Sequence, residues 1–336
     1  MSTLDQEQEV VDLANKLGLS GSPVESIINF CQNQIDTWVR EAGGVTSVDE
    51  LEAVVADNLN LVFEEIADDD DFERLKAKYI PRGEIVFAAL SVDMDEDTFG
   101  TMVRLKDGSH VAVIDCRGEK AARRFFTRWH EIAHLLVEED VERQVFRSTD
   151  EPLERLMDQI AGHVGFYESI FTPLFRTAVP DGRLLTFEIV ESIRQAFCPA
   201  ASFQSTLFAC HRRLQTPILY VEARMALSES ERRSSAQKRM FDTAPKEKLR
   251  VRRSLPNKAA SDLGMATRWN MRVPESSIVF EAFHSADDLS KSGSENLNTW
   301  TFSSGDSLID CEVFIEACRF GDSLMVTIQP NEMHSE

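Results

Sequence analysis

The sequence predicts an α+β protein, with helical and β-rich blocks following one another along the chain instead of alternating. Three observations predict it. Apolar residues recur at helical spacing through roughly the first sixty positions. Val-, Ile- and Phe-rich segments bounded by turn signals fill about 84–116, and a second set of such segments begins near residue 247.

The first block divides into short helices. Residues 4–17 place Val10, Val11, Leu13 and Leu17 near helical spacing. Ser22-Pro23-Val24-Glu25 combines a capping serine, a first-turn proline and a glutamate three positions on, and opens a helix through Ile27, Ile28, Cys31, Ile35 and Trp38 to Gly43-Gly44. Ser47-x-x-Glu50 is a second capping box, for a helix through Leu51, Val54, Val55, Leu59 and Val62. The acidic run Asp68–Asp71 reads as a solvated loop and helix start, since it lacks the spacing of a calcium loop. After Pro81, strands are expected at Glu84–Val92, Gly100–Leu105 and His110–Cys116, with a turn at Asp107-Gly108.

Gly118 marks the turn into a helix of about 119–138 that holds His130-Glu131-Ile132-Ala133-His134. Positions i and i+4 share one helical face, so His130 and His134 can aim both imidazoles at one ion. Glu131 sits beside them, where a general base toward a metal-activated water is required. A third ligand is supplied by Glu154-Arg155-Leu156-Met157-Asp158, which puts Glu154 and Asp158 on one face of a second helix of about 152–169. Glu154 can bind the ion while Asp158 accepts the N–H of a ligand histidine and fixes its tautomer. The charge-dense stretch 139–153 reads as the loop between the two helices. His163 and Tyr167 are candidates for stabilising an oxyanion. His163 falls about 180° around the helix from Glu154, however, and Tyr167 is also poorly aligned with the ligand face.

The pairing resembles the two-helix zinc site of the thermolysin-like metallopeptidases, the gluzincins. Arg123-Arg124-Phe125-Phe126-Thr127-Arg128-Trp129-His130-Glu131-Ile132-Ala133-His134-Leu135-Leu136, with Glu154-x-x-Met157-Asp158-x-Ile160-Ala161-Gly162, resembles the two zinc helices of the ImmA/IrrE-type metallopeptidases. The resemblance covers about residues 80–170. Trp129 stands where that family usually has a small residue, and Phe166-Tyr167 replaces its usual Met-Pro. The resemblance implies a zincin-like peptidase unit of helices and a small sheet, in which Zn²⁺, or Mn²⁺ in its place, is held by His130, His134 and Glu154. It also implies a protein substrate, a helix-turn-helix repressor whose cleavage releases stress-response or mobile-element genes. A regulator that keeps the fold and acts by binding protein or DNA is the alternative.

Beyond the second helix, residues 184–197 and 201–213 read as two helices broken at Cys198-Pro199-Ala200, similar to the helix-turn-helix-like segment that follows the peptidase unit in this family. Arg194, Arg212 and Arg213 are few for a DNA reader, and two packed helices explain the pattern as well. Ser228–Gln237 reads as a helix end or linker, and 238–258 holds eight Lys/Arg against two Asp/Glu. Strands are expected at Leu249–Leu255, Ser277–Phe283, Thr299–Phe302 and within Glu312–Gln329, with turns at Ser303-Ser304-Gly305 and Gly321-Asp322. Some relatives carry a GAF-like sensory domain here. The expected segments are thus an N-terminal helical one (1–80), a peptidase core (81–180), a helical one (181–235), and a linker with a β-rich α+β domain (236–336).

Composition bounds the function classes. The chain has 336 residues, 43% of them hydrophobic, enough for packed cores in more than one domain. Its net charge of −21 disfavours direct binding to nucleic acid or to an anionic membrane. No apolar run reaches the ~18–20 residues of a membrane span. The acidic start lacks the pattern of a signal peptide, so a cytoplasmic location is expected. Six scattered cysteines without a Cys-x-x-Cys pair exclude a zinc ribbon and read as reduced thiols. Cys116, upstream of His130, is either a strand-end core residue, which the usual burial of cysteine favours, or an approach to the metal.

Overall fold

A computed structural model describes residues 3–90, 94, 98–137, 143–147, 151–236, 245–285, 290–302 and 305–331. The fold is mixed α+β, and the chain divides into two compact units. One comprises Met1–Ala178 with Val190–Ala209, the other Val179–Ile189 with Cys210–Glu336. No helix among the described residues is long and apolar enough to cross a membrane.

The first unit begins with helices α1 (Gln8–Lys16), α2 (Pro23–Glu41) and α3 (Val48–Asn58). Helix α2 buries Val24, Ile27, Ile28, Cys31, Ile35 and Val39 along one stripe. Its N-terminus is capped from a distance: Asp5 Oδ1 accepts from Val24 N (3.0 Å) and from Ser22 Oγ (2.8 Å). Ser22 therefore orients the cap without being the cap, which corrects the expected capping box. At α3 the local device forms, with Ser47 Oγ accepting from Glu50 N (3.2 Å) and Glu50 accepting from Thr46.

Helix α3 stops at Asn58, and Leu61–Ile66 is strand β1, so Val62 is not helical as expected. Asn60 takes a left-handed turn (φ 47°) between them, a conformation that asparagine tolerates better than most residues. Helix α4 (Asp70–Tyr79) follows. Asp68 and Asp71 accept backbone N–H groups at its start, so the acidic run caps a helix. Ile85–Ala88 is a 3₁₀ turn where a strand was expected, and 91–92 of that segment lie outside the described residues. Strands β2 (Thr98–Arg104) and β3 (His110–Asp115) form the expected hairpin about Gly108.

Next come α5 (Arg124–Val137), β4 (Arg143–Arg147), α6 (Pro152–Val164) and α7 (Glu168–Ala178). Helix α5 starts later than expected because Gly118–Arg123 is 3₁₀. The supposed loop between the site helices contains β4; 139–142 and 148–150 lie outside the described residues. The sheet runs β1-β3-β2-β4, with β1 parallel to β3 and the other pairs antiparallel. Central β3 is buried along its whole length, which its unbroken apolar run reflects. Helix α5 packs between this sheet and helices α2 and α6. The entrance to α5 is fixed by Asp115, whose carboxylate accepts from Arg117 (2.9 Å) and from Lys120 Nζ (2.8 Å), while Lys120 also donates to the Thr98 carbonyl.

The second unit holds a five-stranded antiparallel sheet of β5 (Leu219–Ala226), β6 (Lys248–Pro256), β7 (Ser290–Asn296), β8 (Glu312–Phe320) and β9 (Ser323–Pro330), in the order β6-β5-β9-β8-β7. One face supplies Val221, Val251, Ile315, Val326 and Ile328 to a core closed by Trp300. Helices α8 (Phe187–Phe197) and α9 (Phe203–Arg213) match the expected pair, and the division between units falls within both. Arg194 donates to Glu191 (2.7 Å) and to the Ala201 carbonyl (3.1 Å), which commits it to the turn after α8. Helices α10 (Glu229–Ala236), α11 (Lys258–Asp262) and α12 (Ile278–His284) complete the unit.

Helix α12 corrects the strand expected at Ser277–Phe283: Ser277 Oγ accepts from Val279 N and caps it. Leu297–Thr299 is 3₁₀, with only an isolated bridge at Thr301 where a strand was expected. Strands β5 and β7 were not anticipated. Residues 237–244 of the polar and basic stretch, and 303–304 of an expected turn, lie outside the described residues.

Candidate metal centre

Helices α5 and α6 bring His130, His134 and Glu154 together, each offering one ligand atom, with all three within 4.8 Å of one another. His130 Nε2 is 3.1 Å from His134 Nε2 and 3.1 Å from Glu154 Oε2, and His134 Nε2 is 3.7 Å from Glu154 Oε1. The histidines share a face because four residues make about one helical turn. Aromatic residues pack around Phe125 at the start of α5. Phe125 meets Phe166 at 5.3 Å and Phe197 at 6.2 Å edge to face, and Phe166 meets Phe171 at 5.2 Å. Pairs of this kind contribute about 0.5–1.5 kcal/mol each beyond the area they bury.

Trp129 is fully buried against Gly165. A Cβ on Gly165 would lie 2.8 Å from Trp129 Cγ and 2.9 Å from the Ala161 carbonyl. The large residue on α5 is thus matched by the absence of a side chain just after α6. Arg128 joins the other side of α5 to α3 and β1 through Glu52 and Glu65.

Asp158 Oδ1 lies 2.9 Å from His130 Nδ1. With Nδ1–H donating to that carboxylate, the Nε2 lone pair faces His134 and Glu154. Two imidazole nitrogens and a carboxylate oxygen at such separations are held either by shared protons or by a cation among them. The edge of a tetrahedron built on ~2.0–2.1 Å bonds is about 3.3 Å, close to the spacings here, so the donor set fits a divalent ion. Imidazole and carboxylate ligands suit several such ions.

Without a metal, protons answer the same electrostatics. Burial alone would lower the His130 pKa, but hydrogen bonds to Asp158 and Glu154 outweigh it and raise the group to about 9. Burial alone would raise Glu154, but hydrogen bonds from the two histidines bring it down to about 2.

Glu131 has no exposed surface, and neither carboxylate oxygen has a hydrogen-bond partner among the described residues. Burial, reinforced by Glu154 and opposed by His130, pushes it up to about 8. Its Oε1 lies against β2, where a Cβ on Gly100 would come within 2.8 Å. Gly100 was not anticipated as part of the site. A glycine inside an otherwise bulky strand is the signal that marks close approach.

His163 and Tyr167 are not brought to the cluster. His163 lines a surface depression with Asp5, Ser22 and Gln32. The Tyr167 hydroxyl donates to Asp36 on α2 (2.7 Å), and neither residue belongs to the ligand group. Cys116 is also outside it: its N–H extends the β1–β3 pairing, donating to the Ile66 carbonyl (2.8 Å), and burial pushes its thiol up to about 11. In comparisons with known proteins, no family model and no curated protein matches this chain.

Proposed function

We propose that this chain is a zinc-dependent endopeptidase of the ImmA/IrrE type, acting in the cytoplasm on a helix-turn-helix repressor of stress-response or mobile-element genes. The observation that carries the reading is the convergence of His130, His134 and Glu154 beside an unpartnered, buried Glu131. His130, His134 and Glu154 would hold the ion, and Asp158 keeps His130 in the tautomer that binds it. When bound, zinc supplies Lewis-acid chemistry, polarising a carbonyl and making water a stronger acid.

The protein's own part is proton transfer and exclusion of water. Glu131, next to a possible ligand on the same helix, is placed to take a proton at one of its carboxylate oxygens and return it to the leaving amine. Gly100 leaves that oxygen the room a side chain would fill.

The full burial of Glu131 also favours a second reading, since a base must reach the reacting atoms. On that reading the chain is a regulator that acts by binding. Metal analysis of the purified protein, followed by incubation with the repressor encoded beside its gene, separates the two. Stoichiometric zinc and chelator-sensitive cleavage support the peptidase; zinc and stable binding without cleavage support the regulator.

A further inference from the structure

The C-terminal unit carries a basic and aromatic patch in an otherwise acidic chain. Several of its cations are already neutralised. Arg250 donates to Glu231, which also pairs with Lys248, while Arg233 pairs with Glu229 and Arg272 with Glu275. Arg224, Arg232 and Arg252 have no ion pair among the described residues. Arg224 lies opposite Arg250 in the β5–β6 pairing, and Arg232 is on α10, whose Glu231 reaches β6. Glu222 faces Arg252 without pairing to it, and both Arg224 and Arg232 are close enough to repel its charge.

The fold places Arg252 deliberately. Glu222 lies opposite Arg253 and Ala223 opposite Val251, so Arg252 is the extra residue of a β-bulge. Bulges turn a side chain away from the regular alternation. The Arg252 guanidinium lies 4.4 Å over the ring of Trp269, and its Nε and Nη1 are buried without an acceptor among the described residues. Trp269 is 56% exposed.

A stiff turn holds that ring. Asn270 is left-handed (φ 67°), its N–H donates to the Val251 carbonyl (2.7 Å), and its carbonyl accepts from Arg250 (3.0 Å). An exposed indole locked beside three unneutralised guanidinium groups suits a ligand with a planar ring and several negative charges. The chain's net charge of −21 opposes a long polyanion, so the chemistry selects a small ligand over a nucleic-acid strand.

We propose that Trp269 and Arg252, with Arg224 and Arg232, bind a free nucleoside polyphosphate, the base stacking on Trp269 and the phosphates meeting the three arginines. The site is independent of the metal cluster and of the peptidase reading.

Calorimetric titration of the full chain with ATP tests it, with adenosine, tripolyphosphate and a single-stranded oligo(dA) as comparisons. ATP should bind saturably and more tightly than any of the three. Trp269→Ala should weaken it about 5- to 100-fold, the range for loss of a base–aromatic stack, and Trp269→Phe should retain most of the affinity. The double variant Arg224→Glu/Arg232→Glu, altered only at exposed side chains, should weaken ATP at least ~10-fold, and binding should fall as salt rises. Thermal melting confirms that the variants are folded. The proposal is overturned by absence of saturable ATP binding at millimolar concentration. Equal binding by wild type, Trp269→Ala and the double variant overturns it too, since the ligand would then sit elsewhere. Tighter binding of oligo(dA) than of ATP also overturns it.

Discussion

Asp158 Oδ1 and His130 Nδ1 meet at 2.9 Å, so one hydrogen bond spans helices α5 and α6 and orients the His130 ring toward His134 and Glu154. Asp158 lies outside the group of possible ligands, and its side chain remains 48% exposed. Asp158→Ala should therefore weaken zinc affinity about 10- to 100-fold without abolishing binding. Competition against a chelator of known affinity measures this. An unchanged dissociation constant would remove Asp158 from the site.

Loss of a ligand should act on metal and fold together. His130, His134 and Glu154 converge only when α5 and α6 are packed. His130→Ala or Glu154→Ala should lower both bound zinc and the zinc-dependent part of the melting temperature, because a ligand that binds only the folded state stabilises it. Elemental analysis beside thermal melts is the check; stoichiometric zinc in both variants would contradict the ligand set.

The main features of this site were legible because they depend on spacing within single helices. His130 and His134, and likewise Glu154 and Asp158, are four residues apart, and helical geometry alone aligns each pair. What remained hidden depends on partners distant in sequence. Strand β4, Arg-Gln-Val-Phe-Arg, reads as polar loop until β2 pairs with it, and β7, Ser-Lys-Ser-Gly-Ser-Glu-Asn, has no apolar alternation at all. Ile278-Val279-Phe280 is a short apolar run that suits a strand or a helix equally, and the Ser277 cap decided it. Val62 fits the period of α3, yet the turn at Asn60 sends it into β1. Asp5 capping α2 from 19 positions away has no local signature.

Two glycines test how closely the site is packed. Gly165→Ala would drive a Cβ to 2.8 Å from Trp129, whose ring is fully enclosed, and overpacking of this kind typically costs about 1–3 kcal/mol. Gly100→Ala would place a Cβ 2.8 Å from Glu131 Oε1 and 3.0 Å from Thr127 Cγ2. Denaturant melts should show Gly165→Ala destabilised, whereas Gly100→Ala should keep its zinc and lose activity by displacing the carboxylate. Wild-type stability in the first and wild-type turnover in the second would contradict the close packing.

Asp115 gives a pH dependence away from the metal. Burial alone would raise its carboxyl, but hydrogen bonds from Arg117 and Lys120 outweigh that and hold it below its ordinary 3.8. A carboxyl whose pKa is lowered by folding contributes stability that is complete above the ordinary value and lost as pH falls through the folded one. Glu316 works in the other direction, because burial raises it. Comparing Asp115→Asn with wild type isolates the Asp115 contribution. The variant should melt lower at pH 7, and the difference should shrink as pH drops below about 3.8. A difference that stays constant from pH 7 to pH 2 would contradict the assignment.

The most direct test of the central claim is Glu131→Gln. The substitution is nearly isosteric, leaves His130, His134 and Glu154 in place, and removes the group proposed to move the proton. Glu131 is buried with no hydrogen-bond partner among the described residues, so the near-isosteric amide fits the same space and folding should be preserved. The measurement is a time course of repressor fragments on a gel, with zinc content and repressor binding determined on the same preparation. The peptidase account predicts normal zinc, normal binding and cleavage reduced at least ~10²-fold, the lower range for a general base. Cleavage at the wild-type rate, or release of the cellular response by a variant that binds but does not cut, would contradict it.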